Sequence, residues 1–309
     1  MPDIIYDMLI IGGGPGGYSC ALYAARAGLS VAVLEKFSVG GQMTQTEMID
    51  NYPGFDEGID GITLGEKMRR GAERFGAKTV LTQVTGLELT GETKIAHTDE
   101  GDFFGRTCVI ATGASARPLG LEQEQNLIGR GVSYCAACDA MFFRNKTVVV
   151  VGGGNTAAAD AITLSRVCKK VYLVHRRDTL RATKVYHKGL EAAENIEFIW
   201  DSAVTDLHAE LRMTGVTVKN LKSGAEQRVD CDGLFVAIGR DPATSLVAGQ
   251  VELDGAGYIV ADESTRTNLP GVFAVGDVRT KALRQVITAA SDGAVAAHFA
   301  ENYLTNAEK

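Results

Sequence analysis

The sequence predicts an α/β protein of two nested units, each a mostly parallel sheet covered by helices. Three observations carry this. One pattern (buried strand, glycine-rich turn, helix, second strand) occurs twice, 140 residues apart. The 309 residues include 36 glycines, where an average usage of roughly 7% would give about 22. The excess has no collagen-like period, so it marks tight turns and close backbone approach. With 45% hydrophobic and 22% charged residues, the composition is that of a folded chain long enough for two cores.

Residues 7–11 (Asp-Met-Leu-Ile-Ile) read as a short buried strand. The turn Gly12-Gly-Gly-Pro-Gly-Gly17 follows, then a helix through Ala21, Leu22, Ala24 and Ala25 that Gly28 stops. A second strand, Val31 to Leu34, ends on Glu35, 18 positions after Gly17. Gly12-x-Gly14-x-x-Gly17 between a strand and a helix, with an acid so placed, is the Rossmann-like dinucleotide fingerprint. The glycines admit a pyrophosphate and a close helix, the helix N-terminus offers free N–H donors, and Glu35 accepts from a ribose hydroxyl.

The unit recurs as the strand Thr147–Val151, the turn Gly152-Gly-Gly154-Asn155-Thr156-Ala157, a helix and the strand 170–174. Gly12 to Glu35 and Gly152 to His175 both span 23 positions. Where the first unit has its acid, the second has His175-Arg176-Arg177, with Arg181 a turn further on. Arginines in that register suit a 2′-phosphate, so the second site is expected to take NADP over NAD; a merely solvated basic loop is the alternative. Each half closes on a related strand and turn, Val109-Ile-Ala111-Thr112-Gly113 and Phe235-Val-Ala-Ile238-Gly239. A further strand runs into Gly276-Asp277, and a helix from Thr288 to about Tyr303 carries Ala289, Ala290, Ala294, Ala297 and Ala300, small enough for a bound ligand to approach. Two dinucleotide sites imply a flavin and a nicotinamide, which carry the hydride chemistry that side chains do not. The expected layout is a discontinuous FAD domain, 1–114 and 244–309, with an NADP domain, 115–243, inserted. Turn-prone crossings are expected at Ala116-Arg117-Pro118 and Arg240-Asp241-Pro242.

The net charge of −7 and the absence of like-charge runs make nucleic acid and anionic membrane poor partners. The uncharged stretch Met8–Ala25 holds five glycines and Pro15, which makes it a turn and helix and not a membrane span. Asp3 and Asp7 replace the basic start of a signal peptide, so a cytoplasmic enzyme is expected. In a reducing cytosol Cys20, Cys108, Cys168 and Cys231 read as small buried hydrophobes.

Cys135-Ala-Ala-Cys138 is different. Its spacing suits a dithiol–disulfide couple, half a zinc site, or two core cysteines. Zinc would want two further ligands, but the other cysteines are singletons and the five histidines form no close cluster, so no metal is expected and the redox couple is preferred. Asp139 beside it is a candidate proton donor and acceptor, or a helix cap. Thr63-Leu-Gly-Glu66 reads as a capping box opening a helix; its Arg69 and Arg70 are expected on a solvated face, with an acidic partner as the alternative.

Over essentially its whole length the sequence resembles the low-molecular-weight, bacterial-type thioredoxin reductases of the pyridine nucleotide–disulfide oxidoreductases. The matching motifs are Gly12–Gly17, Gly40-Gly41-Gln42, Asp50-Asn51-Tyr-Pro-Gly54, Cys135-Ala-Ala-Cys138-Asp139, Gly152–Ala157, His175-Arg-Arg-Asp-Thr-Leu-Arg181, and Gly276-Asp277 with Arg284-Gln285-Val286. The resemblance implies FAD along Gly12, Gly14, Pro15, Gly17 and Glu35. Gly41, Gln42, Thr46, Asn51 and Ala111–Gly113 would lie near it, Asp277 at the ribityl-phosphate region, and Arg284–Val286 at the ring. NADPH would lie on Gly152, Gly154–Ala157, His175, Arg176, Arg177, Arg181, Ile238 and Gly239. Cys138 would exchange electrons with the flavin, Cys135 would attack the disulfide of thioredoxin or a thioredoxin-like protein, and Asp139 would serve as acid–base. Family analogy implies a homodimer and a rotating NADP domain. Two departures stand out: Ala158-Ala159-Asp160 where many relatives have an apolar residue and two glutamates, and Ala140 where glycine is usual. The first bears on NADPH as donor. A dithiol oxidase passing electrons to oxygen, a reductase fed by another donor such as ferredoxin, and a non-catalytic redox-sensing flavin binder are the competing functions.

Overall fold

Alternation along one short strand shows how the first core is built. In Ile5–Ile11, Leu9 and Ile11 enter one cluster with Leu34, Cys108 and Ile110, while Met8 and Ile10 enter another with Tyr18, Val33 and Val109. A strand buried on both faces is continuously apolar. Helical residues such as Tyr18, Ala21 and Ala297 cover the Met8 and Ile10 face; Leu87, Leu89, Val247 and Ile259, outside the α-helices, cover the Leu9 and Ile11 face. The computed structural model describes residues 4–36, 39–46 and 48–307; Asp3 and the extreme ends of the expected FAD domain lie outside them. The chain divides into two compact units, Met1–Ser115 with Asp241–Lys309, and Ala116–Arg240.

In the first unit Ile5–Ile11 pairs in parallel with Val31–Glu35 (Met8 opposite Val31) and with Gly101–Ile110 (Leu9 opposite Cys108). Lys78–Leu81 and Val272–Ala274 extend the parallel part, and Lys94–Thr98 and Val84–Glu88 add antiparallel strands. The helix Pro15–Arg26 lies beside Val286–Ala307. The small residues of the latter are used here: Ala297 and Ala300 are buried in the same cluster as Cys20, Ala21 and Ala24. A side chain on Gly293 would strike the Gly16 carbonyl and the Cys20 amide. Ala297 and Ala300 therefore serve close helix–helix contact, while Ala289 lies beside the turns at Gly16 and Gly276. This helix also begins two residues earlier and runs four further than the apolar pattern suggested.

Three further expectations are refined. The helix Gly61–Glu73 is capped by Asp60, whose Oδ1 accepts from the Thr63 N–H at 2.8 Å, so Thr63 is the recipient of the cap and not its source; aspartate is as good a cap as threonine. Arg70 is exposed on the expected solvated face, and Arg69, partly buried there, bridges Glu66 and Glu73, each at 2.7 Å, the i,i+3 and i,i+4 partners one helical turn away. The crossings are partly strand, although Arg117 and Pro118 are irregular as expected. Ala114–Ala116 and Arg240–Pro242 pair as two short strands, with Pro242 at a strand end where its missing N–H costs no ladder bond.

The second unit repeats the first in smaller form. Its parallel sheet runs in the order Ile196–Ile199, Lys170–Val174, Thr147–Val151, Gly233–Val236, Val132–Ser133. Val148 and Val150 face the helix Asn155–Ser165, while Val149 and Val151 face a three-stranded antiparallel sheet spanning residues 202–230. No described helix is long and apolar enough to cross a membrane.

Candidate active site

Both glycine turns have the shape a diphosphate needs. Gly12 has φ +109°, and a Cβ there would overlap the Ala111 carbonyl; one on Gly17 would strike the Gly12 carbonyl. Gly152 has φ +152° and abuts the Ala237 carbonyl and the Ala157 Cβ. In contrast, the middle residues Gly14 and Gly154 face open space, and neither helix that follows has a side-chain cap on its first N–H groups. A concave backbone with uncapped donors beside a void fits a phosphate group in each unit.

In the first unit several predicted residues converge on that turn. Gly41, at φ +61°, would place a Cβ 3.2 Å from the Gly14 Cα, and Gly40 N–H donates to the Gly13 carbonyl at 2.8 Å. Glu35 Oε2 accepts from Gly13 N–H at 2.6 Å, so the acid sits at the turn, as its spacing requires. Asn51 Nδ2 donates to Gln285 Oε1 at 3.0 Å, bringing two distant candidates together across 234 residues of chain. Gln42 donates to the Ala114 carbonyl and Thr112 to that of Ala243; the Thr46 carbonyl accepts from Gly61 N–H, which ties the segment to the capped helix. Arg284 stacks 4.0 Å over Tyr258 and reaches the Asp277 carbonyl at 3.4 Å, and Val286 opens the long helix.

Sequence reasoning missed what holds Gly276-Asp277. Asp292, from the long helix, accepts from Gly276 N–H at 2.8 Å, from Arg279 Nε and Nη2 at 3.0 and 2.7 Å, and from Lys281 Nζ at 2.7 Å. Burial alone would raise this carboxyl; hydrogen bonds and charge from Arg279 and Lys281 outweigh it and hold the group below the usual range. The side chains of Arg279, Lys281 and Asp292 are 3%, 6% and 8% exposed, so the cluster is a buried one. No motif announces it, because the partners are singletons spread over 16 positions.

In the second unit the strand Lys170–Val174 delivers His175 onto the glycine turn. Its ring occupies the volume a side chain on Gly153 would need, and it packs edge-on to Trp200. Its Nε2 is buried without a hydrogen-bond partner. Burial, then the charges of Arg181, Arg176 and Arg177, push the imidazole below its ordinary value, so it is neutral at pH 7. The backbone N–H groups of Arg181 and Ala182 both donate to the Gly153 carbonyl, at 2.7 and 3.0 Å, which anchors the arginine segment to the turn. Arg176, Arg177 and Arg181 are exposed. An uncancelled cationic rim at the turn fits a 2′-phosphate. Asn155 Oδ1 accepts from Thr183 N–H at 2.9 Å, Thr156 is exposed, Ala157 is buried beneath the turn, and Ile238-Gly239 follow the strand Gly233–Val236, with Gly239 at φ +125°.

Asp160, the one carboxylate left in the departing stretch Ala158-Ala159-Asp160, is pushed up to about 7 by burial against the pull of Arg240. Ala140 has φ −53°, an ordinary helical value, so nothing in the backbone there calls for glycine.

Cys135 and Cys138 form a disulfide around the short helix Ala136–Asp139. Cys138 and Asp139 N–H groups both donate to the Cys135 carbonyl, at 3.2 and 3.1 Å. Asp139 does not cap this helix, which it ends. Burial raises its carboxyl above the usual range, and a hydrogen bond from Ser133 offsets part of the rise. Ser133 is the second residue sequence reasoning missed. The four other cysteines are buried; burial pushes Cys20 up strongly, Cys168 to about 11, and Cys108 and Cys231 to about 12, which keeps them as thiols. One disulfide beside a buried carboxyl, in a chain with two diphosphate-shaped turns, is the constitution of a flavin- and nicotinamide-linked disulfide enzyme.

A family model described as pyridine nucleotide-disulphide oxidoreductase matches residues 6–293. The chain belongs to this family. A thioredoxin reductase of Streptomyces clavuligerus is 46% identical over 303 residues, covering 97% of this chain and 94% of the relative; one of Peptoclostridium acidaminophilum is 41% identical over 306 residues, 97% of each. Among solved structures, thioredoxin reductase from Streptococcus pyogenes MGAS5005 superposes with a TM-score of 0.91 at 42% identity, covering 99% of this chain and all of that one. The enzyme from Giardia duodenalis gives 0.90 at 36%, covering 97% and 99%. The pyridine nucleotide-disulphide oxidoreductase fold, two Rossmann-like units, is thus shared with these enzymes along the full chain.

Proposed function

We propose that this chain is an NADPH-dependent FAD enzyme that reduces the disulfide of thioredoxin or a thioredoxin-like protein through Cys135 and Cys138. The observation that carries the reading is the Cys135–Cys138 disulfide with the Asp139 carboxyl beside it. Residues 1–114 and 244–309 form the FAD domain, and 115–243 the NADP domain with the redox pair. Gly12, Gly14, Pro15, Gly17 and Glu35 cradle the adenosine diphosphate half of FAD; Gly41, Gln42, Thr46, Asn51, Ala111–Gly113, Gly276, Asp277 and Arg284–Val286 hold the rest. Gly152, Gly154–Ala157, His175, Ile238 and Gly239 hold NADPH, with Arg176, Arg177 and Arg181 on its 2′-phosphate. Bound FAD and NADPH supply the two-electron chemistry that protein side chains do not.

The chain's own steps are thiol–disulfide exchange. With the pair reduced, the Cys135 thiolate attacks the substrate disulfide; a sulfur–sulfur bond forms to Cys135 and the released substrate thiolate takes a proton. Cys138 then attacks Cys135 sulfur, which reforms the Cys135–Cys138 bond and frees the second substrate thiolate. Two electrons leave the dithiol and two reach the substrate. Asp139 takes the proton that Cys138 loses and hands one to the departing thiolate. Burial raises this carboxyl above the ordinary carboxylate range, which makes it a readier proton carrier than an exposed aspartate.

A dithiol oxidase has no use for the cationic rim of Arg176, Arg177 and Arg181, and neither has a ferredoxin-fed reductase. A homodimer in the cytoplasm completes the reading, on family analogy. The test is Cys138→Ser. The variant should purify yellow and be bleached by NADPH, yet fail to reduce thioredoxin. Retained thioredoxin reduction would remove Cys138 from the path, and bleaching by NADH as readily as by NADPH would remove the arginines from theirs.

A further inference from the structure

We propose that Ser133 is a positioning residue of the redox pair, its hydroxyl orienting the Asp139 carboxyl and anchoring the Cys135 backbone at once. The inference rests on the acid–base reading of Asp139. Ser133 ends the strand Val132–Ser133, which pairs in parallel with Gly233–Val236, Phe235 opposite Ser133. It is 4% exposed, so its hydroxyl must find partners within the protein. It finds two on the redox segment. The Oγ–H donates to Asp139 Oδ2 at 2.6 Å, and the Oγ lone pair accepts from Cys135 N–H at 3.1 Å. The Cys135 carbonyl, 3.5 Å from Oγ, is the poorer acceptor for the single hydroxyl proton. One oxygen thus ties the first cysteine to the carboxyl four residues on.

No other hydrogen bond reaches the Asp139 side chain among the described residues, and burial and Ser133 are the two influences on it. The neighbouring elements bring no ion-pair partner. Asn155–Ser165, which packs on Ala136–Asp139, has Asp160 as its only ionisable side chain; Ala140–Phe143 and Gly233–Val236 have none. Tyr134, before the pair, donates to the buried Glu124. Without the Ser133 hydroxyl, the carboxyl keeps no partner to set its rotation. A hydroxyl also suits a group that changes protonation, since it can donate to a carboxylate and accept from a carboxylic acid.

The test is single-turnover exchange between the pre-reduced holoenzyme and oxidised thioredoxin, followed across pH in Ser133→Ala, Ser133→Thr and Asp139→Asn. Ser133→Ala should slow exchange at neutral pH by about ten- to a hundredfold, the worth of one well-made hydrogen bond to a charged group. It should also move the pH limb set by Asp139 to higher pH, because a hydrogen bond favouring the charged form is gone. Ser133→Thr should restore both. If Ser133→Ala does not fold, Ser133→Val against Ser133→Thr isolates the hydroxyl within one shape. Slower exchange with an unmoved limb, or a limb moved equally by threonine, would reduce Ser133 to a structural residue. If Asp139→Asn exchanges like wild type at every pH, the acid–base reading itself fails; if it loses the limb while Ser133→Ala keeps it in place, only the role of Ser133 does.

Discussion

Replacing Asp292 by alanine should loosen the first unit far more than an ordinary surface substitution would. Among the described residues the carboxylate is the one acid hydrogen-bonded to both Arg279 and Lys281, all three side chains under 10% exposed. Removing it leaves two buried cations without their carboxylate, Arg279 keeping carbonyl partners at Ala261 and Thr280, and breaking a buried pair from one side costs about 3–5 kcal/mol. It also frees Gly276 N–H, at the turn that leads into Asp277. In a unit of roughly 180 residues, each kcal/mol lowers the melting temperature by about 2–4 °C, so a loss on the order of 10 °C is expected. The chain reports its two units separately: its one tryptophan, Trp200, lies in the second, while release of flavin fluorescence reports the first. Flavin release should move by the full amount and the Trp200 transition by less. The sign with pH follows from the carboxyl being held below its ordinary value of 3.8. Its contribution is whole above that value and is lost as pH falls through the lower folded one, so wild type and variant should converge only in strong acid. A shift in flavin release under ~2 °C at neutral pH would refute the reasoning, because a buried charge pair cannot be broken that cheaply.

Gly17→Ala would drive a methyl group into the Gly12 carbonyl, backbone against backbone, and should give protein that purifies without flavin; a yellow variant with normal flavin affinity would show that the turn can yield. Arg176→Ala with Arg177→Ala should raise KM for NADPH by about ten- to a hundredfold, in keeping with lost charge-assisted contacts, while leaving KM for NADH within about twofold. Steady-state kinetics with both nucleotides decides this, and an equal rise for the two would point to damage to the turn instead.

Short-range chemistry was legible directly. Glycines 12, 14 and 17, the run of four valines before Gly152 and the equal 23-residue spacing to Glu35 and His175 are local signals, since a strand, a tight turn and a helix start are set within a few residues of chain. The cysteine pair was legible for the same reason. The origin of the cap at residue 60 was not, because Asp60 and Thr63 are both good caps and only the entry path of the chain chooses between them. That Ala297 and Ala300 of the last helix make room for the helix Pro15–Arg26 was not legible either, since smallness does not say what comes close.

What the sequence by itself determined, then, is the repeated unit, the two kinds of nucleotide the turns suit and the redox pair, because each is written in contiguous residues. Tertiary structure alone decided which singletons support them. Ser133 reaches Asp139 because a strand paired to Gly233–Val236 ends beside the pair. Asp292 gathers Gly276, Arg279 and Lys281 because a helix passes the turn one side chain away. Neither contact has a spacing rule, since a buried polar group is satisfied by whatever the fold brings within 3 Å of it, however far along the chain that lies.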